Sequence, residues 1–287
     1  MTFRQKLERA AHTNGSLLCV GLDPDPDRLP ATADKPATAG GVAPFLRAII
    51  EATSDLVCAY KPNLAFYEQL GEAGQIALRE VLAAIPEHIP VIGDAKRGDV
   101  PHTARAYARA LFDQLGFDAV TVNPYLGGDA VEPFIERDDR AALIVCRTSN
   151  PAARDLQDLP VGADARPLYE IVAERALGWN TPQSGQARGN VGLVVGATYP
   201  EEMRRLRELC PNMLFLVPGL GPQQGELEAS LAAGLDANGG GLILNASRTV
   251  LYASSGADFA QAARREAESL RAAIEGQRQA LRAGAQV

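Results

Sequence analysis

Within six residues, Asp94-Ala95-Lys96-Arg97-Gly98-Asp99 sets two carboxylates around one ammonium. The apolar run before it, Ile89-Pro90-Val91-Ile92, reads as a buried parallel strand. Pro101 opens a helix beyond it, with Ala104, Tyr107, Ala108, Leu111 and Leu115 on one face. The charges therefore stand where a strand hands over to a helix, the edge at which α/β proteins carry their chemistry. Side chains two apart in an extended segment share a face, so Asp94 and Lys96 point the same way. Grouped with Lys61 and Asp99, they form a row of alternating sign that would keep both carboxylates ionised and both lysines protonated. Such a row suits proton donation and electrostatic catalysis, or else a structural ion-pair network.

A second constellation suits an anion. Gly219-Leu220-Gly221 leaves backbone N–H groups free in a tight turn, Gln223 adds an amide, and Arg248 supplies a permanently charged planar fork. Together they are the makings of a phosphate site.

These residues need a frame that brings distant strand ends together. The apolar runs that read as strands are Ser16–Leu22, Leu56–Tyr60, Ile89–Ile92, Ala119–Val122, Leu143–Cys146, Val191–Val195, Met213–Val217 and Gly241–Leu244. Helices alternate with them: 42–54, 64–85 with breaks near Gly71 and Gly74, 101–115, 167–178, 200–209 and 258–282, after a first helix over 1–14. Eight short strands alternating with helices predict a (β/α)₈ TIM barrel, as one domain over residues 1–287. An open doubly wound sheet fits less well, because no Gly-x-Gly-x-x-Gly follows the first strand. In a barrel the C-terminal strand ends converge on one mouth, here Asp23, Lys61, Asp94, Lys96, Asn123, Ser149, Gln223 and Arg248. The connection after strand five, 151–190, is enlarged and reads as a cover over the mouth or as surface decoration.

Composition narrows the partners. A chain of 287 residues, 46% of them hydrophobic, supports a large core. The net charge of −7, without a basic run, argues against a nucleic-acid surface. A small anion remains open to a local cationic pocket. No segment approaches the roughly 18 apolar residues of a membrane span, and the first helix carries no apolar signal region. Four cysteines without a Cys-x-x-Cys pair read as reduced, buried thiols of a soluble cytoplasmic protein. His12, His88 and His102 are scattered and suggest no metal site.

Asp94-x-Lys96-x-x-Asp99, preceded by Lys61, resembles the signature of the orotidine 5′-phosphate decarboxylase family. The resemblance extends through Tyr60-Lys61-Pro62-Asn63-Leu64-Ala65-Phe66-Tyr67-Glu68, Val122-Asn123-Pro124-Tyr125-Leu126-Gly127, Pro218-Gly219-Leu220-Gly221-Pro222-Gln223 and Ser247-Arg248. It spans the chain from Gly21 to about Tyr252, and the form Asp-Ala-Lys-Arg-Gly-Asp with the long insert after strand five looks like the longer bacterial type 2 branch. It implies decarboxylation of orotidine 5′-phosphate to UMP, the last step of de novo pyrimidine synthesis, with neither metal nor organic cofactor. Lys96 would protonate C6, Asp94 would stand beside the substrate carboxylate, and Lys61 would steady Asp94 and share the ribose hydroxyls with Asp23. Asp99 and Thr103 would reach into the partner's site, which implies a homodimer. Ser149, or Thr148 or Asn150 in a shifted register, would contact the pyrimidine. The implied substrate-binding set also includes Asn123, Gly219, Gly221, Gln223, Ser247 and Arg248, with Gln223 and Arg248 on the phosphate.

Two rival readings remain at this level. One is a Mg²⁺-dependent sugar-phosphate decarboxylase or aldolase of the same superfamily, against which stand Lys61 and the Pro-Gly-Leu-Gly-Pro-Gln turn. The other is a non-catalytic nucleotide-binding barrel, against which stand intact Asp94 and Lys96.

Overall fold

A computed structural model of the protein describes residues 1–30, 39–181, 189–219 and 224–284. Its eight parallel strands are β1 (Leu18–Gly21), β2 (Ala59–Lys61), β3 (Ile92–Arg97), β4 (Ala119–Val122), β5 (Ala141–Arg147), β6 (Val191–Val195), β7 (Leu214–Pro218) and β8 (Leu242–Ala246). They pair in the order β2-β1-β8-β7-β6-β5-β4-β3. Bridges from Tyr60 to Val91 and from Asn63 to Asp94 join the two ends. The Asp94 amide donates to the Pro62 carbonyl at 2.9 Å and the Tyr60 amide to that of Pro90 at 3.1 Å. The sheet thereby closes into the (β/α)₈ barrel that the alternation of runs predicts. Strand interiors are Val-, Ile- and Leu-rich and buried, because helices cover the outside and side chains fill the inside.

Local rules account for most boundaries. The first helix, Phe3–Asn14, starts at a capping box between Thr2 and Gln5 and ends at Gly15 in the left-handed region. It plugs the lower end of the barrel, where Phe3 and Leu7 pack with Cys19, Cys58, Ile92 and Leu214. Pro200 opens the helix Pro200–Leu209 and Pro101 the helix Pro101–Ala108, which continues as a π-helical turn, Arg109–Gln114. That turn buries Leu111 and Phe112 side by side. The closing helix, Phe259–Gly284, packs Ala263, Ala267 and Ile274 into the core.

Three expectations change. Gly74 does not break a helix: it is buried inside the helix Gly71–Ala84, and a Cβ there would lie 1.9 Å from the Tyr67 carbonyl oxygen. The break falls just before Gly71, after the short helix Ala65–Glu68. The third strand begins at Ile92 and runs through Asp94 and Lys96, so these lie within the strand and not beyond it. In the connection after β5, the helix Leu168–Asn180 buries Tyr169, Ala173 and Ala176 as one of the barrel's outer helices. Among the described residues the added structure is the stretch before it: the short helix Arg154–Gln157 and a two-residue ladder, Pro160–Val161 against Arg166–Pro167. Among the described residues no helix is long and apolar enough to cross a membrane. All four cysteines are free and buried.

Candidate active site

The core of the site is one carboxylate held between two ammonium groups. Asp94 Oδ2 accepts from Lys61 Nζ at 2.9 Å, and its Oδ1 accepts from Lys96 Nζ at 2.5 Å. β2 delivers Lys61 at its tip, where Pro62 forbids helix and keeps the backbone extended. Lys61 is buried, while the side chain of Lys96 is half exposed at 50%. Burial alone would raise the Asp94 pKa, but Lys61 and then Lys96 outweigh it and bring it down to about 2. Burial likewise opposes the charge on Lys61, yet Asp23 and Asp94 override it and raise its pKa above the usual lysine range. Asp94 and Lys61 are therefore both ionised at neutral pH.

Lys96 reaches Asp94 by an irregular backbone. Its φ is 45°, in the left-handed region, which for a residue other than glycine costs about 1–3 kcal/mol. Asp94 and Lys96 do meet, as their spacing suggests, but through a bulge and not through simple alternation. Thr121, buried in β4, accepts from the Ala95 amide at 3.0 Å and the Lys96 amide at 2.9 Å, and donates to Asp94 Oδ1 at 3.0 Å.

Asp94 and Lys61 form one wall of a cavity of about 610 Å³ at the barrel mouth. The same cavity is lined by Asp23, Asn63 and Phe66, and on the β7–β8 side by Gly219, Asn245, Ser247 and Arg248. Asp23 Oδ1 accepts from the Asn63 amide at 3.1 Å, which turns the carboxylate across the β1 and β2 ends. Asn245 Nδ2 donates to Ser247 Oγ at 3.3 Å. An anion beside Arg248 would thus sit across the cavity from the ion triad.

The remaining expected residues divide. Ser149 lies near Gly219, to which a Cβ would bring it within 3.7 Å of the serine Oγ. Asp99 does not join the row of charges: its Oδ1 accepts from the Val100 amide at 2.7 Å, and neither it nor Thr103 lines the cavity. Three β3 residues after Asp94 carry the chain out of the barrel before Asp99 is reached, so spacing alone overstates the row. Asn123 also faces elsewhere. Its Oδ1 accepts from the Tyr125 amide at 3.1 Å, and it lines a separate groove with Tyr125 and Trp179. Gly221 and Gln223 lie outside the described residues. So does part of the connection 151–190, whose described residues line no part of the mouth cavity. Among the described residues no group of three or more His, Cys, Asp or Glu side chains gathers where it could hold a metal ion.

The sequence from residue 16 to 265 matches the profile of the orotidine 5′-phosphate decarboxylase / HUMPS family. The chain belongs to that family. It is 53% identical over 249 residues to the orotidine 5′-phosphate decarboxylase of Thermomicrobium roseum, covering 87% of this chain and 86% of the relative. It is 52% identical over 251 residues to the enzyme of that name from Herpetosiphon aurantiacus, covering 86% and 88%. The structure of Leishmania donovani OMP decarboxylase superposes with a TM-score of 0.83 at 43% identity, over 97% of this chain and 99% of that one.

Within this decarboxylase family fold, several residues of the site escaped the sequence reading. Arg28 and Tyr252 line the mouth together, the guanidinium 4.1 Å from the ring centroid. Asn245 stands two residues before Ser247 and could have been found by alternation along β8. Thr121 carried one signal: it is the hydroxyl in the apolar run Ala119-Val120-Thr121-Val122, on the strand beside Asp94.

Proposed function

We propose that this protein decarboxylates orotidine 5′-phosphate to UMP and CO₂, the closing step of de novo UMP synthesis. The observation that carries the reading is Asp94, ionised between Lys61 and Lys96 on the wall of a cavity whose far side offers Arg248. The C6–CO₂ bond breaks heterolytically, CO₂ leaves, and the electron pair stays on C6 as a carbanion with no conjugated sink. A fixed ammonium beside that carbon stabilises the developing charge more than it stabilises the substrate. Lys96 Nζ then gives its proton to C6, which completes UMP.

Asp94 contributes by its charge. With a pKa of about 2 it stays anionic next to the substrate carboxylate, and the repulsion is relieved as CO₂ departs. Lys61 balances Asp94 and, with Asp23, meets the ribose hydroxyls. Phosphate binding by Ser247, Arg248, Gly219, Gly221 and Gln223 supplies the energy that holds the carboxylate there, far from the reacting carbon. Ser149 meets the pyrimidine.

The working unit is a homodimer of a cytoplasmic enzyme. Asp99 and Thr103 are partly exposed and turned away from their own cavity, and Val100 between them is 46% exposed, which supports their serving a second subunit. The chemistry asks for no metal, which separates it from an enediolate mechanism built on Mg²⁺.

The deciding experiment follows loss of orotidine 5′-phosphate absorbance on adding the protein, with and without EDTA. The expected result is turnover that ignores EDTA and disappears in Lys96→Ala. Turnover that depends on Mg²⁺, or none, would overturn the assignment. The dimer is tested by mixing Lys96→Ala with Asp99→Ala: activity returning on subunit exchange supports a shared site, and its absence counts against one.

A further inference from the structure

β3 and β4 pair regularly at Ile92 with Ala119 and at Gly93 with Val120, and next at Arg97 with Val122. Between those points β3 carries Asp94, Ala95 and Lys96, while β4 carries Thr121 alone. Backbone amides in such a bulge lose their ladder partners and must be satisfied otherwise. Here the Thr121 hydroxyl takes both, accepting from Ala95 N at 3.0 Å and from Lys96 N at 2.9 Å. The Ala95 carbonyl accepts from Arg97 Nη1 at 2.8 Å. A hydroxyl has two acceptor sites and one proton, and the proton of Thr121 goes to Asp94 Oδ1 at 3.0 Å. Its hydrogen-bonding capacity is filled by three residues of β3, two of which meet the substrate in the proposed reaction.

We infer that Thr121 is the positioning residue of this active site, holding the β3 bulge that turns Lys96 onto Asp94 and fixing the oxygen of Asp94 that Lys96 contacts. The inference rests on the decarboxylase reading and goes beyond it, because it gives Thr121 a part played through the β3 residues it bonds. Without the hydroxyl, two amides next to a buried strand lack a partner, and the left-handed turn at Lys96 (φ 45°) loses its restraint. Relaxing the bulge by one residue carries a side chain to the opposite face of a strand. Lys96 would then leave Asp94, while Ser247 and Arg248, just beyond β8 across the mouth, stay in place. The two ends of the substrate should therefore respond differently.

The test compares the unmodified enzyme with Thr121→Val, which keeps shape and branching, and Thr121→Ser, which keeps the hydroxyl. Readouts are kcat, KM, UMP affinity and melting temperature. For Thr121→Val we expect kcat to fall about 10- to 100-fold, the factor for one lost hydrogen bond to a charged group. KM and UMP affinity should stay within about threefold, and Thr121→Ser should recover most of kcat. Unchanged kcat in Thr121→Val would overturn the inference. A joint collapse of kcat, UMP affinity and melting temperature would overturn it too, marking Thr121 as structural only. Should the valine variant not fold, Thr121→Cys, with a thiol in place of the hydroxyl, is read by the same criteria. Absence of turnover in the unmodified enzyme would instead bring down the decarboxylase reading on which the inference stands.

Discussion

Gln157 is bonded twice to Thr148: its Oε1 accepts from the Thr148 amide at 2.9 Å, and its Nε2 donates to the Thr148 hydroxyl at 2.8 Å. The added stretch after β5 thus grips the loop that carries Ser149. Arg147 lies beneath it, fully buried, 4.1 Å from the Tyr199 ring centroid and 3.4 Å from Asp158. Gln157→Ala should cost about 1–2 kcal/mol of stability, the net of two hydrogen bonds. A loosened Ser149 should raise KM several-fold with little change in kcat. Steady-state kinetics beside urea unfolding checks both.

The ionisation of Asp94 predicts a pH window. Its pKa falls from an ordinary 3.8 to about 2 in the folded protein. A carboxylate with a lowered folded pKa adds stability above its unfolded pKa, and that stability is lost as pH falls through the folded value. The gain is on the order of 2 kcal/mol, complete above about pH 5 and gone near pH 2. Urea unfolding from pH 6 to pH 2.5 should give a steeper decline for the native protein than for Asp94→Asn. Parallel curves would refute the expectation.

Gly21 ends β1 directly under the β8 exit. A Cβ at this position would lie 1.9 Å from Ser247 Oγ and 3.1 Å from Asp23 Oδ2. Gly21→Ala must therefore displace Ser247, and Asp23 with it. Affinity for UMP should drop about tenfold or more, equivalent to 1.4 kcal/mol, with most of the folding stability kept. Titration calorimetry with UMP measures this.

Arg207 holds the opposite end of the barrel. It is buried, donates to the carbonyls of Gly234 at 2.8 Å, Met213 at 2.7 Å and Gly241 at 3.1 Å, and stacks 3.8 Å from the Phe215 ring centroid. Burial lowers its pKa to about 10, against the pull of Asp236, and it stays charged at neutral pH. A lysine cannot reproduce the planar fork. Arg207→Lys should lose about 3–5 kcal/mol, since several buried carbonyls are left unpaired. The folded fraction should retain its kcat, because the mouth is at the far end. Denaturation and active-site-normalised turnover separate the two effects.

Much of this protein is legible along the chain because its causes are local. Proline at helix starts, Gly15 at a helix end and short apolar runs set where elements begin, so β4 and the helix Pro200–Leu209 match their expected bounds to the residue. Once eight strands are counted, barrel geometry places Asp23, Lys61, Asp94 and Arg248 at one mouth, since parallel strands end on one side. The pairing of Lys61 with Asp94 follows from neighbouring strands, since the tip of β2 lies beside β3.

What the tertiary structure alone decides is register between strands. The bulge opposite Thr121 inverts φ at Lys96, and no periodicity within β3 announces it, because its cause lies on β4. The same holds for Asn123, which the turn to Tyr125 directs into a side groove, and for Asp99, carried out of the barrel with the end of β3. The helix after β5 reads as part of an insert until its buried face is seen against β5 and β6. Side-chain direction at a strand end depends on hydrogen bonds from neighbouring strands, and those neighbours meet only when the barrel closes.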